Sequence, residues 1–229
     1  VMGELGNQFR VIVPDIAGFG FTEFKEGNKY DIKLWVRHLT GIMDALGIDK
    51  ASFAGNSFGG ALAVGLALFD KARVERIVLL GTPAGEFEQT PGLRSAWTYE
   101  PSMENMESTM RLFPYDQSII TEEMVRSRYQ ASARPGAQEA LRRLIPKPNE
   151  DGPTMVRGFP ASAVAGIEAP TLVLHGREDR VVPPQCGFLL AQNIPNAQLH
   201  LFGQCGHWVQ TERRTEFLQL VTSFIGQPS

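Results

Sequence analysis

The sequence predicts an α/β fold, a mostly parallel sheet with helices on both faces and a helical insertion between two of its strands. Three observations carry that expectation. Near-continuous apolar runs of strand length alternate with longer runs of helical periodicity. A Gly-x-Ser-x-Gly, running Gly55-Asn56-Ser57-Phe58-Gly59, stands where one of these strands turns into a helix. The stretch 86–159, rich in Met, Pro and charge, interrupts the alternation between two core strands.

Phe9-Arg10-Val11-Ile12-Val13-Pro14 predicts the first buried strand, ending in the loop from Asp15 to Gly20. From Asp31 to Leu46, apolar residues recur at helical spacing (Ile32, Trp35, Val36, Leu39, Ile42, Met43, Leu46), and Gly47 stands where a C-cap belongs. Ala51 to Ala54 reads as the strand before the serine and Ala61 to Phe69 as the helix after it. Further strands are expected at Val74–Leu80, Thr171–His175 and Gln198–Phe202, with helices at about Pro184–Gln192 and Val209–Ile225. In the insertion, Met103, Met106 and Met110, then Met124 and Arg128, follow a helical period. Flexible methionines suit a surface that closes on a ligand, and they serve equally well as helical core. The expected division is a core of 1–85 and 160–229 under a helical cap of 86–159.

A chain of 229 residues is long enough for one such domain with its insertion. An apolar fraction of 43% and a charged fraction of 21% are those of a soluble globular protein. The net charge of −3 shows no basic bias, so neither nucleic acid nor membrane is expected as a partner. No apolar run approaches a membrane span, and no leader-like segment opens the chain. The two cysteines, Cys186 and Cys205, lack metal-ligand spacing and read as reduced thiols of a cytoplasmic protein.

The serine motif has a mechanical reading. Its turn holds the serine in strained geometry, and glycines let the strand and helix pack closely around it. The Phe58 N–H at the start of the helix then faces the place where an oxyanion would develop. A serine hydroxyl needs a base, and the base needs an orienting carboxylate. In the α/β-hydrolase arrangement these follow in the order Ser, acid, His. Strand Thr171–His175 runs into Gly176-Arg177-Glu178-Asp179, where Asp179 is the expected acid and Glu178 its rival. The last strand leads to Gly206-His207-Trp208, where His207 is the expected base. His38 lies inside a helix, while His200 and His175 lie within or at the end of strands, so structural roles are expected for them. Ser57, Asp179 and His207, each beyond a different strand and in the right order, predict a serine hydrolase.

Four segments together resemble the meta-cleavage product hydrolases. They are Gly55-Asn56-Ser57-Phe58-Gly59-Gly60, Tyr115-Asp116-Gln117-Ser118-Ile119-Ile120-Thr121-Glu122-Glu123, Ser127-Arg128-Tyr129 and Cys205-Gly206-His207-Trp208-Val209-Gln210. The resemblance covers essentially the whole chain. It implies hydrolysis of a carbon–carbon bond in 2-hydroxy-6-oxo-hexa-2,4-dienoates, the ring-opened products of aromatic degradation. No cofactor or metal is implied. Asn56 resembles the family's asparagine that contacts the dienoate, and Trp208 the tryptophan beside the base. Arg128 resembles the arginine that handles the carboxylate and 2-oxo end, a group that a planar guanidinium can hold through two oxygens. Met103, Met106, Phe113, Trp97 and Tyr129 are candidates for shaping the rest of the pocket.

The chain departs from the resembling pattern at its start. The family carries earlier strands, one ending in a His-Gly-Gly whose loop donates the second oxyanion N–H, and nothing before Phe9 matches it. Such a donor is typically worth about 10²–10³ in rate. The missing strand would lie between Phe9–Pro14 and the nucleophile strand. The expectation is that these two pair directly or that a partner subunit fills the slot, a homo-oligomer; a fragment of a longer gene product is the third outcome. The alternative function is a broad-specificity carboxylesterase on a truncated scaffold. A non-catalytic remnant is disfavoured by the presence of all three triad residues.

Overall fold

The computed structural model describes residues 1–23, 25, 27–145 and 152–227; within the expected cap, 146–151 lie outside the described residues. Along the chain, α1 (Met2–Gly6) and α2 (Ile32–Ala45) precede β1 (Ala51–Asn56), which turns directly into α3 (Phe58–Phe69). After β2 (Val74–Leu80) come β3 (Glu86–Glu88), α4 (Pro91–Trp97), α5 (Met103–Met110), α6 (Glu122–Ser132), α7 (Ala137–Leu144) and β4 (Met155–Arg157). The chain continues through α8 (Ala161–Val164), β5 (Thr171–Gly176), α9 (Pro184–Asn193), β6 (Ala197–Phe202), α10 (Val209–Glu212) and α11 (Arg214–Ile225).

The main sheet is parallel, in the order β1-β2-β5-β6, with Ala54 opposite Val78, Val78 opposite Leu172 and Leu172 opposite Gln198. Successive side chains of a strand point to opposite faces, and here both faces are covered. Ile77, Leu79 and Val173 enter one core with Val36, Val64, Leu66 and Leu190 from α2, α3 and α9. Val78, Leu80, Leu172 and Leu174 enter the other, with Phe217, Val221 and Phe224 of α11 and with Val1 and Leu5 around α1. That is why the central strands read as unbroken apolar runs. Asp31 caps α2 by accepting the Leu34 N–H at 3.0 Å.

The expected strand Phe9–Pro14 does not form, and it does not pair with β1. Val11, Ile12 and Val13 are exposed at 38%, 41% and 66%. A strand is defined by a hydrogen-bonded neighbour as much as by its composition. The loop that follows is held away by α2, where Trp35 Nε1 donates to Ala17 O at 3.0 Å and His38 Nε2 lies 3.2 Å from Asp15 O. Direct re-pairing across the expected slot is thereby overturned; among the described residues no strand covers the outer edge of β1.

Two further differences concern elements. The insertion is helical in its body, but its two ends pair as the antiparallel ribbon β3–β4, with Glu86 opposite Arg157 and Glu88 opposite Met155. Strands of three residues leave no periodicity to read. The helix expected at Val209–Ile225 breaks at Arg213, whose backbone leaves helical angles (φ −122°, ψ 45°) and whose guanidinium donates to Gly203 O and Gln204 O at 2.5 and 3.0 Å.

Candidate active site

Ser57 occupies the junction between β1 and α3 with φ 55° and ψ −117°, a conformation that costs a non-glycine residue of order 1–3 kcal/mol. A Cβ at Gly55 would overlap the Gly59 carbonyl, so strand and helix meet there only because Gly55 has none. The Ser57 N–H is bonded to Leu80 O at 2.8 Å, which fixes the turn to β2. Phe58 is the first residue of α3, where backbone N–H groups have no partner within the helix. Its ring packs edge-on against Trp35, with centroids 4.9 Å apart.

Asp179 follows β5 and is fully enclosed with His207. Its Oδ2 lies 2.7 Å from His207 Nδ1, while Oδ1 accepts the N–H groups of Val181 and Val182 at 2.8 and 2.9 Å. Burial pushes its pKa up, but the facing His207 and His175 outweigh burial and hold it at about 2. The rival Glu178 turns elsewhere, accepting the Cys205 N–H at 3.1 Å and pairing with Arg177 at 2.8 Å.

His207 is 1% exposed in the loop between β6 and α10. A neutral ring facing a carboxylate carries its proton on Nδ1, which leaves Nε2 as the base. Nε2 is buried and has no hydrogen-bond partner among the described residues, so no hydrogen bond joins it to Ser57 Oγ. Asn56 brings the two halves together. Its amide donates to Leu80 O at 3.2 Å and to His207 O at 3.1 Å, tying the serine's neighbour to the base's backbone. Both amide hydrogens are thus committed to the protein, leaving only Oδ1 for a ligand.

Trp208 is 8% exposed and packs with Met106, Met110 and Val125 of the insertion. Arg128 of α6 lies over its ring at 5.0 Å from the centroid, a cation–π contact. Although the residue as a whole is exposed, crowding around its charged head lowers its pKa. No carboxylate among the described residues pairs with it. A cavity of about 490 Å³ opens beside it, lined by residues that include Phe19, Ala96, Tyr99, Met106, Thr109 and Arg128. Ser57, Asp179 and His207 do not line that cavity; Arg128 on Trp208 is what connects it to the base. Of the other pocket candidates, Met103 is 37% exposed and Phe113 packs on His207 and Trp208, each at 5.5 Å.

Three further residues lie close to the acid and base. His175, for which a structural role was expected, lies with Nε2 3.4 Å from Asp179 Oδ2 and 3.0 Å from Val182 O. Its position four residues before Asp179 was the available signal. Gly81 (φ 48°) underlies the pair, where a Cβ would lie 2.9 Å from His207 Nδ1 and 3.1 Å from Asp179 Oδ2. Glu212 accepts the Gly206 and Trp208 N–H groups, which flank the base, at 2.9 and 3.3 Å. Cys205 and Cys186 are buried free thiols. Burial foremost pushes them up to about 12 and about 11, so neither competes with Ser57 as a nucleophile. Among the described residues, no helix is long and apolar enough to cross a membrane and no cluster of metal ligands occurs.

Residues 1–220 match the alpha/beta hydrolase family. The 2-hydroxy-6-oxo-2,4-heptadienoate hydrolase of Pseudomonas putida is 45% identical over 225 residues, covering 98% of this chain and 81% of that protein. The 2-hydroxymuconate semialdehyde hydrolase of Pseudomonas sp. strain CF600 is 43% identical over 230 residues, covering 99% and 80% respectively. Among solved structures, a serine-to-alanine mutant of a meta-cleavage product hydrolase from Pseudomonas fluorescens IP01, complexed with acetates, superposes with a TM-score of 0.91. It is 42% identical over 98% of this chain and 82% of that one.

Proposed function

The chain belongs to the alpha/beta hydrolase family and, within it, to the meta-cleavage product hydrolases, and from that premise we propose how it hydrolyses the carbon–carbon bond of a 2-hydroxy-6-oxo-hexa-2,4-dienoate. The observation that carries the reading is the stack of Arg128 on Trp208, the residue after His207. It sets a cation that has no carboxylate partner among the described residues on the ring of the residue that follows the base, at the rim of a cavity large enough for a small keto acid. A generic esterase has no use for such a cation.

In this mechanism Arg128 holds the carboxylate and the 2-oxygen of the substrate. The dienol first ketonises: the proton leaves O2 and one is delivered to C5, with His207 Nε2 moving it. C5 then stands between the C6 carbonyl and an enone that can accept an electron pair. Ser57 Oγ, losing its proton to His207, adds to C6, and the Phe58 N–H stabilises the oxyanion. The C5–C6 bond breaks with its electrons delocalised to O2, the dienolate takes the proton from His207 and departs as the dienol, and an acyl-serine remains. Water activated by His207 releases the acid and restores Ser57. Asp179, ionised at any working pH, keeps the imidazole oriented throughout.

The division into core and cap at 86–159 and the substrate-facing role of the insertion belong to the same reading, supported by the placement of Arg128 in α6; a cytoplasmic location is part of the same proposal. The test is the decay of a dienoate's visible absorbance with the parent chain and with Ser57→Ala. Colour loss with the parent alone is expected. Decay at equal rates in both would overturn the role of Ser57, and Ser57-dependent cleavage of simple esters without dienoate decay would make the protein an esterase.

A further inference from the structure

The connection between α5 and α6 is bonded to the acid and base loops from three directions. His207 N donates to Phe113 O at 2.7 Å, and the Phe113 ring packs edge-on against the imidazole with centroids 5.5 Å apart. Arg180, the residue after the acid, donates through one Nη2 to Arg111 O and Pro114 O at 3.2 and 2.9 Å. Glu212 of α10 uses both carboxylate oxygens. Oε1 accepts Gly206 N–H and Trp208 N–H on either side of the base, and Oε2 accepts the Tyr115 N–H at 2.7 Å.

From this we infer that Glu212 and Arg180 are positioning residues, which clamp the segment Arg111–Tyr115 onto the Asp179–His207 pair so that the insertion sets where the base points. The inference rests on the triad reading given above. Its physical content is a chain of short, directional contacts. Neither Glu212 nor Arg180 touches the imidazole, yet every backbone atom they hold belongs to a residue that flanks His207 or Asp179, or to the segment packed on the ring. An imidazole displaced by about an ångström can lose a large part of its rate enhancement. Substrate binding, which depends on Arg128 and the cavity, has no contact with either residue.

Glu212→Gln separates the two halves of the clamp. A glutamine retains one carbonyl oxygen for Gly206 and Trp208 but sets an NH₂ against the Tyr115 N–H, two donors face to face. Arg180→Met is the second variant; Arg180 is exposed, and its loss removes the donor to Arg111 O and Pro114 O while keeping a long side chain. Both are compared with the parent in dienoate kcat and KM, in thermal melting, and in the rate at which a fluorophosphonate labels Ser57. Expected is a fall of about tenfold in kcat and in labelling for Glu212→Gln, and a smaller fall for Arg180→Met, with KM within about twofold, in samples that still melt cooperatively. Parent-like labelling and kcat in both folded variants would overturn the inference alone. A parent not labelled at Ser57, judged against Ser57→Ala, would overturn the triad reading and this inference with it.

Discussion

Arg128 and Asn56 were expected to share one role, and their surroundings separate them. Asn56 has committed both amide hydrogens to Leu80 and His207, so it acts first as a strut between the nucleophile turn and the base. Arg128 has only an aromatic face for company among the described residues, which leaves its five donors for a ligand. Hydrogen bonds to charged groups contribute about 1.5–3 kcal/mol. Arg128→Ala should therefore lower kcat/KM for a dienoate about ten- to hundredfold while leaving a small neutral ester nearly untouched. Steady-state assays on both substrates check this, and equal losses would remove Arg128 from the substrate. The order of Ser57, Asp179 and His207 along the chain is legible because each follows a strand with a strong apolar pattern. Asp179 was expected over Glu178 because the loop has by then cleared the strand end, and it is Asp179 that faces His207. The choice depends on which carboxylate the loop turns toward the two Val N–H groups, a matter of local backbone direction. Gly81 was hidden, since it touches the acid and base across the sheet edge rather than along the chain.

At the scale of elements, helices with a full amphipathic stripe and strands buried on both faces were readable, as α2 and β2 illustrate. Phe9–Pro14 was not, because its composition speaks for a strand while its neighbours deny it a partner. The ribbon β3–β4 was missed because three residues carry no period. The turn leaving β2 is the element on which the site leans hardest. Gly81 has a positive φ there, which for a residue with a Cβ costs about 1–2 kcal/mol, and the new methyl would press on His207 and Asp179. Gly81→Ala should melt several degrees lower, by about 4–8 °C per kcal/mol in a small domain and less in one of this size. It should also lose at least tenfold in kcat, because the pair must shift to make room. Calorimetry and dienoate turnover on the same sample test both halves. A variant that melts lower yet turns over normally would show that the pair does not need this support.

For the whole molecule, the buried Asp179 links folding to acidity. Its pKa is depressed in the folded state, from the ordinary 3.8 to about 2, so the unfolded chain takes up the proton first as pH falls. The stabilisation is complete above about pH 4 and is lost as pH falls through about 2, a contribution of about 2 kcal/mol. Denaturant titrations between pH 5 and pH 2 should show this loss, and Asp179→Asn should flatten it; an identical slope in the variant would place the linkage elsewhere. The β3–β4 ribbon bears on how such a molecule can diverge. Glu88 lies opposite Met155, so the segment that carries α4 to α7 leaves and rejoins the scaffold through a single doorway. Beyond that doorway the inserted helices take no part in the pairing of the parallel strands. On the clamp inferred above, any replacement must still present three carbonyls and an amide, as Arg111–Tyr115 does, to keep His207 aimed.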